Sequence, residues 1–266
     1  LNILTKHQKK SIGYVAQKLV IATFPHSKTK ELNFTRKNGN YRLSLQALPE
    51  FGLPYGSIPR LLLVWIVTEA VKKKSREVLL GDNLSQFLKA LKINRSGERI
   101  RQVKDQISRL LTTKITYIYI NENNRLSFEN INTVSKADIF WNVSGSIKGK
   151  SSVTLSQEFF DSIIKNPVPI SVNAIYEIRK SPMAIDIYCW LTYRMSYLSR
   201  KTKILWSQLE QQFGSSYINS REFKRKFNKQ ILKVLKIYPS AMVQKVEDGI
   251  ILYPSKTHVC KNGVDN

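Results

Sequence analysis

Ser181-Pro-Met-Ala-Ile-Asp-Ile-Tyr-Cys-Trp-Leu-Thr-Tyr-Arg-Met-Ser-Tyr197 opens the segment whose order of elements decides the fold. Ser181 suits a helix cap, because its hydroxyl can accept from an otherwise unpaired N–H of the first turn. Pro182 is tolerated in that turn, where its missing N–H is not needed. The helix that follows, residues 183–197, is rich in apolar residues and centred on Trp190, as a buried central helix is. Beyond it, residues 202–205 read as a short strand, Leu209 and Phe213 mark a short helix, and residues 219–236 form a long basic one. Residues 241–247 and 250–253 flank Asp248-Gly249, a dipeptide that favours a hairpin turn.

The same order occurs upstream. A helix starts near Ser57, is apolar all round over residues 61–67, and ends in Lys72-Lys73-Lys74, cations that suit a helix C-terminus. Residues 77–81 read as a short strand. Asp82 or Asn83 can cap a helix carrying Leu84, Phe87, Leu88 and Leu91, and Gly97 precedes a helix over 98–111. Residues 115–120 and 125–131 then flank Asn121-Glu-Asn-Asn124 as a hairpin. Trp65 stands 15 residues before Leu80, and Trp190 stands 15 residues before Leu205. Offsets of four and eight from those leucines carry Leu84 and Leu88 in one half, Leu209 and Phe213 in the other. Helix, short strand, helix, helix and hairpin is the order of a winged helix-turn-helix. The expectation is an α+β chain of tandem winged-helix domains, helix-rich with small β-hairpin wings.

The expected boundaries are a basic N-terminal arm over 1–50, a first winged-helix domain over 51–142, a small, polar and basic linker over 143–152, a second domain over 153–258, and a tail over 259–266. Within the arm, residues 6–30 are basic and weakly amphipathic. Residues 32–36 and 41–47 flank Asn38-Gly39, which predicts a hairpin with a type I′ turn. The second domain is expected to begin with a helix near 156–165, punctuated by Pro167 and Pro169.

Composition narrows the function. Of 266 residues, 43 are Lys or Arg and 19 are Asp or Glu, a formal net charge of +24. Apolar residues make up 42%, enough to build a core, which excludes a wholly disordered basic tail. A folded chain this basic calls for a polyanionic partner, nucleic acid or an anionic membrane. The longest apolar run, residues 61–67, is far shorter than the ~20 residues of a spanning helix, and no secretory signal is evident, so no membrane partner is expected. The two cysteines, Cys189 and Cys260, exclude a disulfide-dense scaffold or a four-cysteine zinc site and point to the reducing cytoplasm. Charge is spread along the chain: +7 over 1–50, +9 over 51–150 and +8 over 151–266.

Residues 219–236 concentrate it, with 7 basic residues against 1 acidic. At about 100° per residue, Phe223, Phe227, Ile231, Val234 and Leu235 share one side. Arg225, Lys229, Lys233 and Lys236 crowd the other, with Lys226 beside them, Leu232 as the lone apolar intruder, and Arg221 and Asn228 on one flank. One face packs on its own domain while the other carries charge into a major groove. Arg reads guanine with two hydrogen bonds, Asn reads adenine, and Lys neutralises phosphate. The start of such a helix reaches base edges, so Arg221, Lys224, Arg225 and Asn228 are the candidates for bases, and Lys229, Lys233 and Lys236 for the backbone. In the first domain Ile100, Val103, Ile107, Leu110 and Leu111 form the apolar stripe. Its candidates are Arg99, Arg101, Gln102 and Arg109, with Asp105 among them and Lys104 toward the apolar edge. A structural helix that grips phosphate or a protein is an equal reading there. Lys245, on the second hairpin, completes the set.

Other signals are weak. Ser144-Gly-Ser-Ile-Lys-Gly-Lys-Ser151 resembles a phosphate-binding loop only at its end, since Ser144 stands where the first Gly is required and no parallel-sheet pattern surrounds it. His7, His26 and His258 form no His-x-His pair for a metal-dependent nicking site. Cys189 lies in an apolar stretch and reads as a buried inert thiol. No catalytic residue, metal or cofactor is expected, which disfavours an origin-nicking or nucleotide-hydrolysing enzyme. A structured-RNA binder remains a rival reading.

The chain resembles the RepA-type replication initiators encoded by bacterial plasmids. The resemblance rests on Phe51-Gly-Leu-Pro-Tyr-Gly-Ser-Ile-Pro-Arg-Leu-Leu-Leu-Val-Trp65, Val67-Thr-Glu-Ala70, Gly81-Asp-Asn-Leu-Ser-Gln-Phe-Leu88 and Lys104-Asp-Gln-Ile-Ser-Arg-Leu110. In the second half it rests on Glu158-Phe-Phe-Asp161, Asn166-Pro-Val-Pro169, Ser181-Pro182, the specific run from Ile185 to Leu198, Phe223-Lys-Arg225 and Tyr238-Pro239. It spans residues 51–258 and leaves the first fifty unmatched. It implies a bacterial, plasmid-encoded protein that binds repeated sites in double-stranded origin DNA and helps recruit the host initiator and replicative helicase. By analogy with winged-helix initiators it also implies a homodimer as an alternative state. A transcriptional repressor of the same fold is the nearest alternative.

Overall fold

The computed structural model describes residues 12–80, 96–121, 123, 125–139, 151–214, 217 and 219–259. The expected helix around Leu84, Phe87, Leu88 and Leu91, the linker residues 143–150 with the loop-like stretch from Ser144, and Cys260 with the tail after it lie outside the described residues, as does His7.

The chain opens with β1 (Ile12–Ala16), a short helix α1 (Gln17–Ile21) and a hairpin of β2 (Asn33–Asn38) and β3 (Tyr41–Gln46). Next come α2 (Ser57–Lys73), β4 (Glu77–Leu79), α3 (Gly97–Thr112), β5 (Lys114–Ile120), β6 (Leu126–Asn130) and β7 (Val134–Asp138). The second half runs β8 (Ser152–Leu155), α4 (Gln157–Lys165), β9 (Pro167–Ser171), α5 (Val172–Ile178), α6 (Pro182–Met195) and β10 (Thr202–Leu205). It ends with α7 (Trp206–Phe213), α8 (Ser220–Ile237), β11 (Val243–Val246) and β12 (Gly249–Leu252).

The helices begin where their caps stand. Ser96, Ser156 and Ser181 accept through Oγ from the N–H of the third residue onward, at 3.2, 3.1 and 3.2 Å. Asn219 Oδ1 does the same for Glu222 N at 2.9 Å. Each bond satisfies an N–H that the first turn leaves unpaired.

In the second half, β10, β12 and β11 form one antiparallel sheet in that order. Its hairpin turn is Glu247-Asp248, because Val246 pairs with Gly249, one residue earlier than the sequence suggests. Gly249 is required for a different reason than a turn. A Cβ there would lie 2.0 Å from the Ile204 carbonyl oxygen, so only glycine lets β12 approach β10. The turn is anchored to α7, with Trp206 N donating to the Asp248 carbonyl and Trp206 Nε1 to that of Glu247, both at 3.0 Å.

The first half builds its sheet differently. The hairpin β5–β6 joins β2–β3 in a four-stranded sheet of order β2-β3-β5-β6. Leu43 and Leu45 of β3 face Tyr117 and Ile115 of β5 across it, all buried. The β2–β3 turn has Gly39 and Asn40 at its centre, with Asn38 paired to Tyr41. Only Gly39 has positive φ, at 56°. That is the arrangement of a type II′ turn rather than the expected type I′. The short strand β4 pairs with β8, and β8 with β7. Most telling is β1, which pairs antiparallel with β9 and so ties residues 12–16 to 167–171. Residues 12–46, expected as an arm, thus supply strands to two sheets. Pro167 and Pro169 sit in β9 without penalty because a two-stranded sheet leaves one edge needing no donor.

The core is continuous across the halves. α2 packs on β1, α3, α4, α6 and β4. Buried aromatics fill the space beneath α8: Trp190 and Phe213 have ring centres 5.5 Å apart, Phe213 and Phe227 5.6 Å, and Trp206 and Phe227 6.0 Å. Between the halves runs the buried segment Thr23-Phe24-Pro25. Its carbonyls accept from two guanidiniums: Arg36 at 3.4 and 3.3 Å, and Arg60 at 2.7 and 3.3 Å. Buried carbonyls need such partners, so two buried cations are the means by which this loop crosses the interior. No helix among the described residues is long and apolar enough to cross a membrane.

Candidate nucleic-acid interface

The wheel drawn from sequence matches the environment of α8. Phe223, Phe227, Ile231 and Val234 are buried, while Arg221, Arg225, Lys229, Lys233 and Lys236 are exposed. Spacings of four, four, four and three residues keep these cations on one side of the helix. Glu222 is the acidic residue of the first turn. Among the described residues, none of these five cations takes part in an ion pair. Their charge is therefore presented outward rather than spent within the protein. Lys226 and Asn228 are half-buried at the flanks, and Leu232 is exposed on the cationic side. Lys224 lies with its Nζ 5.9 Å from the centre of the Trp206 ring, a cation–π contact that holds the ammonium beside the start of α7.

Lys245 is exposed on β11, and the nearby turn carries its own ion pair between Lys203 and Asp248 at 2.6 Å. In the first half, Arg99 and Arg101 are exposed near the start of α3 and Gln102 is half-buried. Arg99 Nη1 donates to Gln102 Oε1 at 2.8 Å, and Gln102 Nε2 donates to Glu98 Oε1 at 3.1 Å. Arg109 is engaged by the protein itself. Its Nε lies 2.8 Å from Asp105, Nη1 donates to the Leu53 carbonyl at 3.4 Å, and the guanidinium sits over Tyr55. It anchors the loop before α2. The α8 candidates thus lie together on one surface, and the α3 candidates form a second, less charged one.

Of the other titratable groups that sequence reading singled out, Cys189 is buried and His258 half-buried. Burial pushes the Cys189 thiol well above the ordinary thiol range, which suits an inert core residue. His258 bonds to Tyr188 at 2.8 Å and stacks on Tyr238, and burial lowers its pKa. Among the described residues no group of three or more His, Cys, Asp or Glu side chains is placed to hold a metal.

Sequence reading missed the charges between the halves. Arg60 of α2 meets Asp186 of α6 with two bonds of 2.7 Å, and His26 Nε2 lies 2.8 Å from the same carboxylate. Burial alone would raise the Asp186 carboxyl, but Arg60 and the His26 hydrogen bond outweigh it and hold it well below the usual carboxylate range. A signal was available: Asp186 interrupts an otherwise apolar helix, and a carboxylate there needs a buried cation.

Two solved structures resemble the whole arrangement. A crystal structure of selenomethionine derivatives of domains 2 and 3 of RctB superposes with a TM-score of 0.57 at 14% identity, covering 91% of this chain and 97% of that one. A second, of RctB domains 2–3, gives 0.53 at 12% identity, covering 89% and 95%. At such identities the likeness speaks to fold alone. No curated protein matches the chain. The family model described as plasmid encoded RepA protein matches residues 53–208, from the loop before α2 into α7. By that match over more than half its length, the chain belongs to the family of plasmid-encoded RepA proteins.

Proposed function

We propose that this protein is a non-enzymatic initiator of plasmid replication that binds repeated duplex sites at its origin through two winged-helix units. The observation that carries the proposal is the α8 surface: five exposed cations on one side, unpaired within the described residues, above a rigid aromatic core. A helix held this way presents a positive face of the width that a major groove admits. The sheet β10-β12-β11 supports a wing beside it, and Lys245 supplies that wing with charge. In the first half α3 and the hairpin β5–β6 occupy corresponding places in the chain order, with Arg99, Arg101 and Gln102 for phosphates or bases. Family membership supports the replication role. Recruitment of the host initiator and helicase in the cytoplasm, and a homodimeric state, follow by analogy with initiators of this class.

Binding of the full chain to duplexes carrying the repeats upstream of its gene tests the proposal. The expected result is a preference of roughly 10³-fold or more over scrambled duplex, with affinity falling steeply as salt rises. Equal affinity for both duplexes would refute it.

A further inference from the structure

A cleft of about 700 Å³ opens between the two halves, where the start of α3, the start of α2 and the turn joining α5 to α6 converge. Four cations line it: Lys28 from the N-terminal segment, Arg99 from α3, and Arg179 and Lys180 from the turn before α6. Asp105 is the acidic residue of the lining, and it is already paired with Arg109. Arg99 and Arg179 are oriented by neutral acceptors, the Gln102 side chain at 2.8 Å and the Tyr176 carbonyl at 2.5 Å. None of the four is in an ion pair among the described residues. Cations held by neutral partners keep their full charge for something outside the chain.

A buried imidazole lies at the floor of the cleft. The His26 side chain lines it, is 7% exposed, and donates or accepts at Nε2 with Asp186. Its Nδ1 has no hydrogen-bond partner among the described residues. Beneath, Arg60 is bonded to Asp186 and to the Gly56 carbonyl at 2.7 Å, which fixes the starts of α2 and α6 relative to each other. The cleft is therefore preformed.

Its position is the decisive point. Met183, in the first turn of α6, lies with its Sδ 3.9 Å from the hydroxyl of Tyr217, two residues before the Asn219 cap of α8. Arg99 and Gln102 put the start of α3 in the wall of the cleft, and Met183, next to the lining residue Pro182, links the opposite wall through Tyr217 to the segment that leads into α8.

We propose that this cleft grips the phosphate backbone of the duplex between the two grooves, at the intervening minor groove. The inference rests on the duplex-binding reading above and adds the place where the two halves hold the same stretch of DNA.

The test uses the full chain and the Lys28→Gln, Lys180→Gln double variant, whose changed residues are both exposed and lie outside the two helices assigned to the grooves. Hydroxyl-radical footprinting on the repeat duplex should show central protection in the parent and its loss in the variant, with the flanking protections kept. The slope of log K against log salt should become shallower by about 0.9 for each phosphate contact removed, with the ratio of repeat to scrambled binding unchanged. Central protection and salt slope both surviving in the variant would overturn the proposal. So would saturable binding of inorganic phosphate or a nucleotide that the variant abolishes without altering its DNA behaviour, since the cleft would then serve a free anion. If the parent itself shows no preference for the repeats, the duplex-reading proposal fails instead, and Arg225→Ala serves as the control that separates the two.

Discussion

Arg60 and Asp186 form a two-point buried ion pair, Nε to Oδ1 and Nη2 to Oδ2 each at 2.7 Å, that joins the central helix of the first half to that of the second. Both side chains are 5% exposed. Removing one partner strands the other as an uncompensated buried charge, so Asp186→Ala should cost about 3–5 kcal/mol. Asp186→Asn, which keeps a side-chain oxygen to accept from Arg60 and leaves the Arg60 bonds to the Phe24, Pro25 and Gly56 carbonyls in place, should cost less. Urea unfolding of the two variants checks this, and equal losses would contradict it.

His26 makes stability depend on pH. Burial lowers its pKa to about 4, only partly offset by the hydrogen bond to Asp186. The unfolded chain takes up this proton near 6.5, so between about 6.5 and about 4 the unfolded state binds more protons and stability falls with falling pH, by about 3 kcal/mol in all. The Asp186 carboxylate keeps its stabilising charge through this window, because its folded pKa is depressed and its contribution is lost only below the ordinary carboxylate range. His26→Gln should flatten unfolding free energy between pH 7 and pH 5, leaving the smaller slope from His258, whose pKa is also lowered. A variant as pH-dependent as the parent would refute the assignment.

Phe227 holds up the cationic face. It is fully buried and its ring meets those of Trp206, Phe213 and Phe223. Phe227→Ala should destabilise by about 3–5 kcal/mol. Thermal unfolding followed by circular dichroism reads this directly, and a loss under 1 kcal/mol would mean that α8 does not depend on that cluster.

Gly249 carries the closest approach within the wing. A Cβ there would lie 2.0 Å from the Ile204 carbonyl oxygen. Gly249→Ala must push β10 and β12 apart, at about 1–3 kcal/mol. Amide exchange at Ile204 and Ile250 should quicken selectively, and unaltered exchange would contradict the close packing.

The second half was legible in sequence because its signals are local. Ser181-Pro182 and Asn219 cap helices, the spacing of Phe223, Phe227, Ile231 and Val234 sets the buried face of α8, and a short hairpin ends the unit. The pairing of β1 with β9 was not legible, because partners more than 150 residues apart leave no mark in either local pattern. Pro167 and Pro169 further disguised β9 as loop. The cleft escaped for the same reason. Lys28, Arg99, Arg179 and Lys180 look like scattered surface charges until folding gathers them. Arg109 shows the limit of a wheel from the other side, since its place opposite the apolar stripe said nothing of Asp105 and Tyr55, which engage it.

Within α8 the roles of the cations can be separated. In the proposed reading Arg225, exposed near the helix start, meets a base, so Arg225→Ala should cost about 1–3 kcal/mol on the repeat while narrowing its advantage over altered sequences. In the same reading Lys233, two turns on, meets phosphate, so Lys233→Ala should weaken all duplexes alike and reduce the salt slope by about 1. Competition binding on point-altered repeats distinguishes the two, and indistinguishable profiles would remove the assignment.

The most direct test of the account is nuclease and methylation footprinting of the full chain on the DNA upstream of its gene, where the proposal expects repeated sites. The proposed pair of winged-helix units predicts protection of two successive major grooves on one side of the duplex, about 34 Å apart. Protection confined to a single groove would contradict the two-unit account.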